Sequence, residues 1–413
     1  MANVNFKKLT ITDWKQFENI DIDFHPQLTI LTGANGCGKT TILNTLSRHF
    51  GWNHIELATP APEKETGILK FFARFFKTPS SAISNKIGEL TYSNNKKSDL
   101  IIPENNSAQY QVAIPQQQNI MGLSIPSHRP TYFYRNVPHI STTKRSKRNA
   151  YDLANNSSQS YYFSGGGQTS NYYLKETIMS WAISGEGNKY VVPNKELKQY
   201  FEDFQEVLRL LLPKTIGFKE LSIRNYELVL ITDSGDFMLD AVSGGVSAII
   251  DLAWQIFTYT NTKDEEMTVL IDELENHLHP EIQRSILPNM ISTFPNVQFI
   301  VSTHSPLIVG SVKNSNVYAF RHKKNQESKT YRVTNEKLDL VNRAKTATEI
   351  LNEVLGVPFT MPLWAESKLN EIISKYSKQN ISETTFDDMR ADLKEIGLEE
   401  LMPEAMKKTL NKK

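Results

Sequence analysis

An α/β fold is predicted by three observations. "QLTILTG" runs into a glycine loop and then into helical spacing at "KTTILNTLSRHF", which gives strand, loop and helix in immediate succession. "MTVLIDE" and "VQFIVSTH" are continuous apolar runs, the pattern of strands buried on both faces of a parallel sheet. "FKKLTI" and "NIDIDF", near the start, place apolar residues at every second position, as half-buried strands do.

Taken in order, the elements after the first helix begin with "ILKFFARFFK", whose spacing predicts an amphipathic helix, and "KIGELTYS" and "AQYQVAI", which read as strands. "NIMGLSIP" reads as a core strand ending at Ser127-His128-Arg129-Pro130. Residues 132–173 hold "TTKRSKR", "NNSSQS" and "SGGGQTS" among tyrosines, a polar, glycine-rich stretch expected to be a mobile insertion. Helical patterns resume at "LKETIMSWAI" and "KELKQYFEDFQEVLRLLL". The strands "FKELSIRN" and "YELVLIT" follow, with a turn at Asp233-Ser234-Gly235-Asp236, and then a glycine turn opens the helix "SGGVSAIIDLAWQIFTY". Beyond Pro306 come the strands "NVYAFRH" and "KTYRV" and a mostly helical tail. The expected division is a head over residues 1–320, with the mobile and helical insertion at about 132–215, and a C-terminal segment over 321–413 for partner or subunit contacts.

Composition narrows the function classes. Lysine plus arginine (46) nearly cancels aspartate plus glutamate (45), so overall charge does not mark a nucleic-acid binder. One cysteine among 413 residues excludes an intrachain disulfide and fits a reducing compartment. The start "MANVNFKKLTITDW" lacks the apolar core of a signal peptide, and no apolar run is long enough to cross a bilayer. A cytoplasmic protein with no membrane partner is expected.

Four pieces carry chemistry. The run Gly33-Ala34-Asn35-Gly36-Cys37-Gly38-Lys39-Thr40, continued by Thr41, satisfies G-x-x-x-x-G-K-[ST]. Its glycines let backbone N–H groups point at phosphate oxygens, and the following helix adds its positive end. Lys39 would sit between the β- and γ-phosphates of ATP, with the Thr40 hydroxyl in the shell of a Mg²⁺ ion. "MTVLIDELENHLHP" ends a buried strand in Asp272, a second Mg²⁺ ligand, followed by Glu273 as general base for water. "VSTHSP" delivers His304 to the end of another strand, within reach of a γ-phosphate or a catalytic water. Ser243-Gly244-Gly245 opens a helix with a hydroxyl and free N–H groups, a further anion site.

In this order the four pieces resemble the ATP-binding-cassette ATPases, in particular the soluble branch with the SMC, RecF and OLD heads. "IDE-x-E-x-H-L-H-P" and "STHSP" are most similar to the OLD-like ATPases of bacterial phage-defence systems, with Glu275, His277, His279 and Pro280 matching the run. The resemblance implies a P-loop head, with a mixed core sheet, helices and an antiparallel β lobe. It also implies ATP sandwiched between two heads, so that residues 33–41, Asp272, Glu273 and His304 of one subunit face Ser243-Gly244-Gly245 of the other. Two positions depart from the pattern: Val242 and Val246 flank the signature, which implies slow hydrolysis. The glutamine expected after a core strand is either among Gln116, Gln117 and Gln118 or replaced at Ser127-His128-Arg129. Trp14 and Phe17 are expected to pack rather than to touch adenine. The tail lacks the acidic strand pattern of the TOPRIM nuclease that many OLD proteins carry. The ATPase subunit of the PARIS system is the most similar build, with Septu and retron-linked ATPases as near relatives. That implies a homodimer or higher oligomer, a separate effector of TOPRIM nuclease type and a phage-encoded trigger protein.

The alternative is a repair or recombination ATPase that clamps DNA, with Lys144, Arg145, Lys147 and Arg148 contacting phosphates and nearby tyrosines stacking on bases. The nucleotide-binding half of a membrane transporter fits less well, since its motifs differ from "LHP" and "THSP".

Overall fold

The computed structural model describes residues 3–62, 69–72, 85–103, 108–129, 132–164, 170–260, 265–324, 331–339, 349–350, 363–377 and 383–411. The chain divides into two units, Met1–Ala347 and Thr348–Lys413. The first unit begins with strands β1 (Phe6–Trp14), β2 (Phe17–Asp23) and β3 (Leu28–Gly33) and helix α1 (Lys39–Ser47). Strands β4 (Glu56–Leu57), β5 (Thr59–Pro62), β6 (Leu69–Phe72), β7 (Lys86–Tyr92), β8 (Lys97–Ile101), β9 (Gln109–Tyr110) and β10 (Gly122–Ile125) follow. Three helices come next, α2 (Lys147–Ser164), α3 (Ser170–Glu186) and α4 (Lys195–Leu211), then strands β11 (Phe218–Arg224), β12 (Glu227–Thr232) and β13 (Gly235–Met238). The unit closes with α5 (Gly244–Tyr259), β14 (Met267–Ile271), α6 (Pro280–Thr293), β15 (Val297–Thr303), α7 (Pro306–Val309), β16 (Asn316–Lys324) and β17 (Tyr331–Lys337).

Ten of these strands form one sheet, in the order β10-β14-β15-β3-β16-β17-β2-β1-β7-β8. β10, β14, β15, β3 and β16 run parallel, whereas β1 with β2, β1 with β7 and β7 with β8 are antiparallel. The burial of each part matches its residues. Every residue of β3, β14 and β15 is buried, as uninterrupted apolar runs require, while β1 and β2 mix buried and exposed positions. Register then aligns the carboxyl ends: Ile271 lies opposite Val301, and Thr303 opposite Thr32. Gly33, Asp272 and His304, each next in sequence after these paired residues, therefore emerge at one edge, where parallel sheets bind ligands.

Three expectations change. Leu69–Phe72, expected within a helix, is a strand paired with Thr59–Pro62; the rest of "ILKFFARFFK" lies outside the described residues. Tyr331–Lys337, expected in the C-terminal segment, is a strand of the main sheet between β16 and β2, so the head reaches past residue 320. The stretch at 132–173 is built on a packed helix, although residues 165–169 lie outside the described ones. Ala150, Tyr151 and Ala154 of α2 are buried, and the Lys147 ammonium lies 3.8 Å from the centre of the Phe257 ring on α5. Lysine stems and tyrosines that read as a solvated loop are apolar enough to pack, which composition alone does not register. α3, α4 and α5 meet through Trp181, Phe204, Trp254 and Phe257, with the two tryptophan rings 5.2 Å apart.

The second unit holds helices Leu363–Ser377, Glu383–Glu395 and Met402–Asn411, in line with the helical tail. Leu369, Ile373, Met389 and Leu393 form its core. No helix among the described residues is long and apolar enough to cross a membrane.

Candidate functional site

The glycine loop keeps its shape because larger residues do not fit. Gly33 has φ +140°, and a Cβ there would fall 2.4 Å from the Phe320 carbonyl oxygen. Gly38 has φ +92°, and its Cβ would meet the Phe17 ring at 2.3 Å. Phe17 and Trp14 are fully buried, so both pack, as expected. The Lys39 ammonium donates to the carbonyls of Gly33 (3.0 Å) and Ala34 (3.2 Å), and burial pulls its pKa down. Burial pushes the Cys37 thiol up, which suits a packed rather than a reactive cysteine. Ala34, Asn35 and Gly36 are exposed at the loop's crest, Thr40 is exposed at the start of α1, and Thr41 is partly buried behind it.

Asp272 comes from the end of β14. Its Oδ2 accepts the Thr40 hydroxyl at 2.9 Å, and its Oδ1 accepts the Ser302 hydroxyl. Burial raises its pKa, against the hydrogen bonds from Ser302 and Thr40, and the Glu273 charge pushes the same way. A hydroxyl and a carboxylate in contact at a strand end are the oxygen donors that a hydrated Mg²⁺ takes. Glu273 follows in a left-handed conformation, φ 47°, unusual outside glycine. Four bonds hold it: its N–H donates to Ser302 Oγ (2.9 Å), its carboxylate accepts from Asn276 Nδ2 (2.9 Å), and its carbonyl accepts from Arg129 Nη2 (2.8 Å) and from the Asn276 N–H (3.1 Å). Arg129 also donates to the Asp272 carbonyl (3.2 Å). The guanidinium is buried beneath the two acids, and burial lowers its pKa against the pull of Asp251, Glu275, Asp272 and Glu273.

His304 is tethered through its backbone, whose N–H donates to Glu275 Oε1 at 2.5 Å, while Thr303 Oγ1 donates to Glu275 Oε2 at 2.7 Å. Burial first, and then the Lys39 charge, lower the imidazole pKa, which favours its neutral form. His279 caps α6, its Nδ1 accepting from the Glu281 N–H at 3.3 Å. A cleft of about 340 Å³ opens beside Glu273, lined by Ser127, His128, Arg129, Tyr161, Asn276 and His277.

The structure thus gathers Lys39, Thr40, Asp272, Glu273 and His304 at one edge. Ser243, Gly244 and Gly245 stand apart: among the described residues no hydrogen bond joins them to the loop. Ser243 caps α5, its Oγ accepting from the Val246 N–H at 3.5 Å, and both Ser243 and Gly244 are exposed. Gly245 packs on the backbone, where a Cβ would come within 3.0 Å of the His277 carbonyl oxygen. The glutamine candidates do not reach the site. The Gln116 carbonyl accepts from Ser98 of β8, and Gln118 pairs with Asn94. Arg129 is the residue of that region which touches the acids. Sequence reasoning missed Ser302, Asn276 and the role of Arg129; only Ser302 left a signal, a polar residue near the end of the apolar run "VQFIVST".

The basic run is engaged within its own chain. Arg145 pairs with Glu176 at 2.9 Å, Arg148 with Asp152 at 3.2 Å and Lys144 with Glu196, and Lys147 donates to the Thr260 carbonyl at 3.3 Å.

Together the sheet and the edge site define an ABC-type P-loop ATPase head. Residues 28–310 match the family described as "AAA domain, putative AbiEii toxin, Type IV TA system", and the chain belongs to that family. Among curated proteins it is similar to the retron Ec83 probable ATPase of Escherichia coli, 34% identical over 26% of this chain and 21% of that one. It is also similar to the retron Vc95 probable ATPase of Vibrio cholerae, 20% identical over 76% of this chain and 73% of that one, and to the Septu protein PtuA of Bacillus thuringiensis, 21% identical over 87% of each. The match thus spans about a fifth of the retron Ec83 protein and most of the other two. Solved SMC heads align more distantly. The SMC head domain from Thermotoga maritima gives a TM-score of 0.42 at 14% identity, over 82% of this chain and 100% of that one.

Proposed function

We propose that the protein is the ATP-hydrolysing regulatory subunit of a phage-defence complex, closing head to head around ATP and controlling a separately encoded nuclease in response to a phage protein. The observation that carries this reading is the split in the site: the phosphate loop and the acids meet in one chain, whereas Ser243 and Gly244 of the signature turn are exposed and no hydrogen bond among the described residues joins them to the loop. A second copy of the chain would supply that turn. The similarity to retron and Septu ATPases supports the setting in defence, and Val242 and Val246 around the signature suit slow turnover.

On this reading Lys39 holds the β- and γ-phosphates, and Thr40 and Asp272 hold Mg²⁺, whose chemistry is to neutralise phosphate charge. Glu273, its backbone fixed by Arg129 and Ser302, accepts the proton of the attacking water. Neutral His304 donates a hydrogen bond toward the γ-phosphate. The four basic residues are engaged within their own chain, which weighs against the DNA-clamp reading.

Glu273→Gln tests the proposal. It should bind ATP, lose about 100-fold or more in turnover, and accumulate closed dimers by light scattering. Purified from its host with ATP, it should carry a stoichiometric protein partner with nuclease activity. A monomer at saturating ATP would sink the sandwich, and salt-labile nucleic acid in place of a protein would restore the clamp.

A further inference from the structure

The signature turn is anchored by a buried charge cluster. Lys175 of α3 and Asp240, three residues before Ser243, have side chains only 1% and 2% exposed. Removing two opposite charges from water is costly, and the cluster offsets that by satisfying every donor. The Lys175 ammonium spends its three protons on Asp240 Oδ2 (2.5 Å), the Arg135 carbonyl (2.6 Å) and Glu227 Oε2 (3.2 Å). Asp240 Oδ1 accepts from Asn171 Nδ2 (2.7 Å), which also donates to the Phe133 carbonyl (2.9 Å). Asp240 Oδ2 takes in addition the Arg135 N–H at 3.2 Å. Tyr134 closes the cluster, its hydroxyl donating to Glu227 Oε1 at 2.9 Å.

Two features make this more than a packing contact. Asp240 lies in the short turn Leu239–Ala241, which leads directly into the turn before α5, so whatever fixes Asp240 fixes the approach to Ser243. Phe133 and Arg135 lie only four and six residues beyond Arg129, whose guanidinium holds the carbonyls of Asp272 and Glu273. One polar cluster therefore touches the chain that follows Arg129 and the chain entering the signature. On the other flank, Gly245 rests on the His277 carbonyl, in the segment that follows Glu273.

We infer that Lys175 and Asp240 are positioning residues for the signature turn: they hold Ser243, Gly244 and Gly245 in the geometry that a second subunit's ATP requires, and tie that geometry to the segment leaving Arg129. The inference rests on the head-to-head reading above. A path of contacts is not by itself coupling, so the test measures the coupling.

Lys175→Met/Asp240→Leu removes the two most buried charges together and leaves Glu227, whose side chain is 18% exposed, with the Tyr134 hydroxyl donating to it. Turnover at saturating ATP should fall at least about tenfold while KM for ATP stays within about twofold, because the phosphate loop is untouched. Amide exchange should quicken at residues 241–246 and stay unchanged at 33–41. In Lys175→Met/Asp240→Asn the one amide oxygen at 240 can still accept from either Asn171 or the Arg135 N–H, and turnover should recover in part. Wild-type turnover with unchanged exchange in the Met/Leu pair would overturn the inference. So would exchange that quickens throughout the head, with KM rising as kcat falls, since that is a fold losing stability. A wild-type protein that does not turn over ATP would instead overturn the function proposed above, while exchange at 241–246 would still decide whether the cluster holds the turn.

Discussion

The loop at residues 33–38 and the turn at Ser243-Gly244-Gly245 both open a helix with small residues, yet they are built in opposite ways. The first ends a buried strand in mid-sheet, and its glycines are squeezed by Phe320 and Phe17. Its lysine is tied to its own carbonyls. The second is exposed at Ser243 and Gly244, a Cβ at Gly244 would meet nothing within 4 Å, and its hydrogen bonds, from Val246 and Ser247, are internal to its own helix start. One turn is finished inside its own chain and the other presents itself outward. The difference teaches that a motif's chemistry is set by what encloses it.

The largest expected break in the comparison is Lys39→Ala. Loss of a charged donor to phosphate costs about 2–3 kcal/mol, near 100-fold in ATP affinity by titration calorimetry. Unchanged affinity would show that the loop is no more a phosphate site than the turn. Next come the two signature glycines. Gly245→Ala forces a Cβ to within 3.0 Å of the His277 oxygen and should lower stability by about 1 kcal/mol in denaturant melts. Gly244→Ala adds a methyl to open space and should leave stability within about 0.5 kcal/mol, yet lose turnover, because the methyl would intrude only on a second molecule. Full activity in Gly244→Ala would mean that nothing closes over this turn.

The smallest effect concerns the support behind α1. His49 lies with Nδ1 2.9 Å from the Leu46 carbonyl and Nε2 3.0 Å from the Tyr92 hydroxyl, and burial pulls its pKa down to about 4. Below pH 6.5 the unfolded chain takes up a proton that the folded one refuses. Stability is therefore full above 6.5 and declines as pH falls toward about 4. Thermal melts should drop by at least about 2 °C across that window, and His49→Gln should flatten the slope.

How much of this was legible follows the same division. β3, β14 and β15 announce themselves because a strand buried on both faces must be apolar throughout, and the motif residues sit where those runs stop. β17 was legible as the strand "KTYRV" but its place was not, because that depends on pairing Val333 with Phe17 across most of the chain, and no local pattern encodes a partner. Arg129 was legible only as one of several candidates at the end of a strand, and the fold alone shows that its guanidinium donates to two backbone carbonyls. The α2 region misled by composition, since its tyrosines and lysine stems bury against α3 and α5 while their polar atoms keep partners.

The sheet order has a consequence for how the protein comes into being. Ile30, on the strand that carries the loop, lies between Val301 and Val317, so both of its neighbours are drawn from the last third of the sequence. While a nascent chain grows, the strand made almost first waits, apolar and unpaired on both edges, through most of translation. Long-range parallel pairing of this kind is slow and leaves sticky intermediates. A chain halted before Val297 would contain the whole glycine motif while the strand that carries it still lacked both of its neighbours.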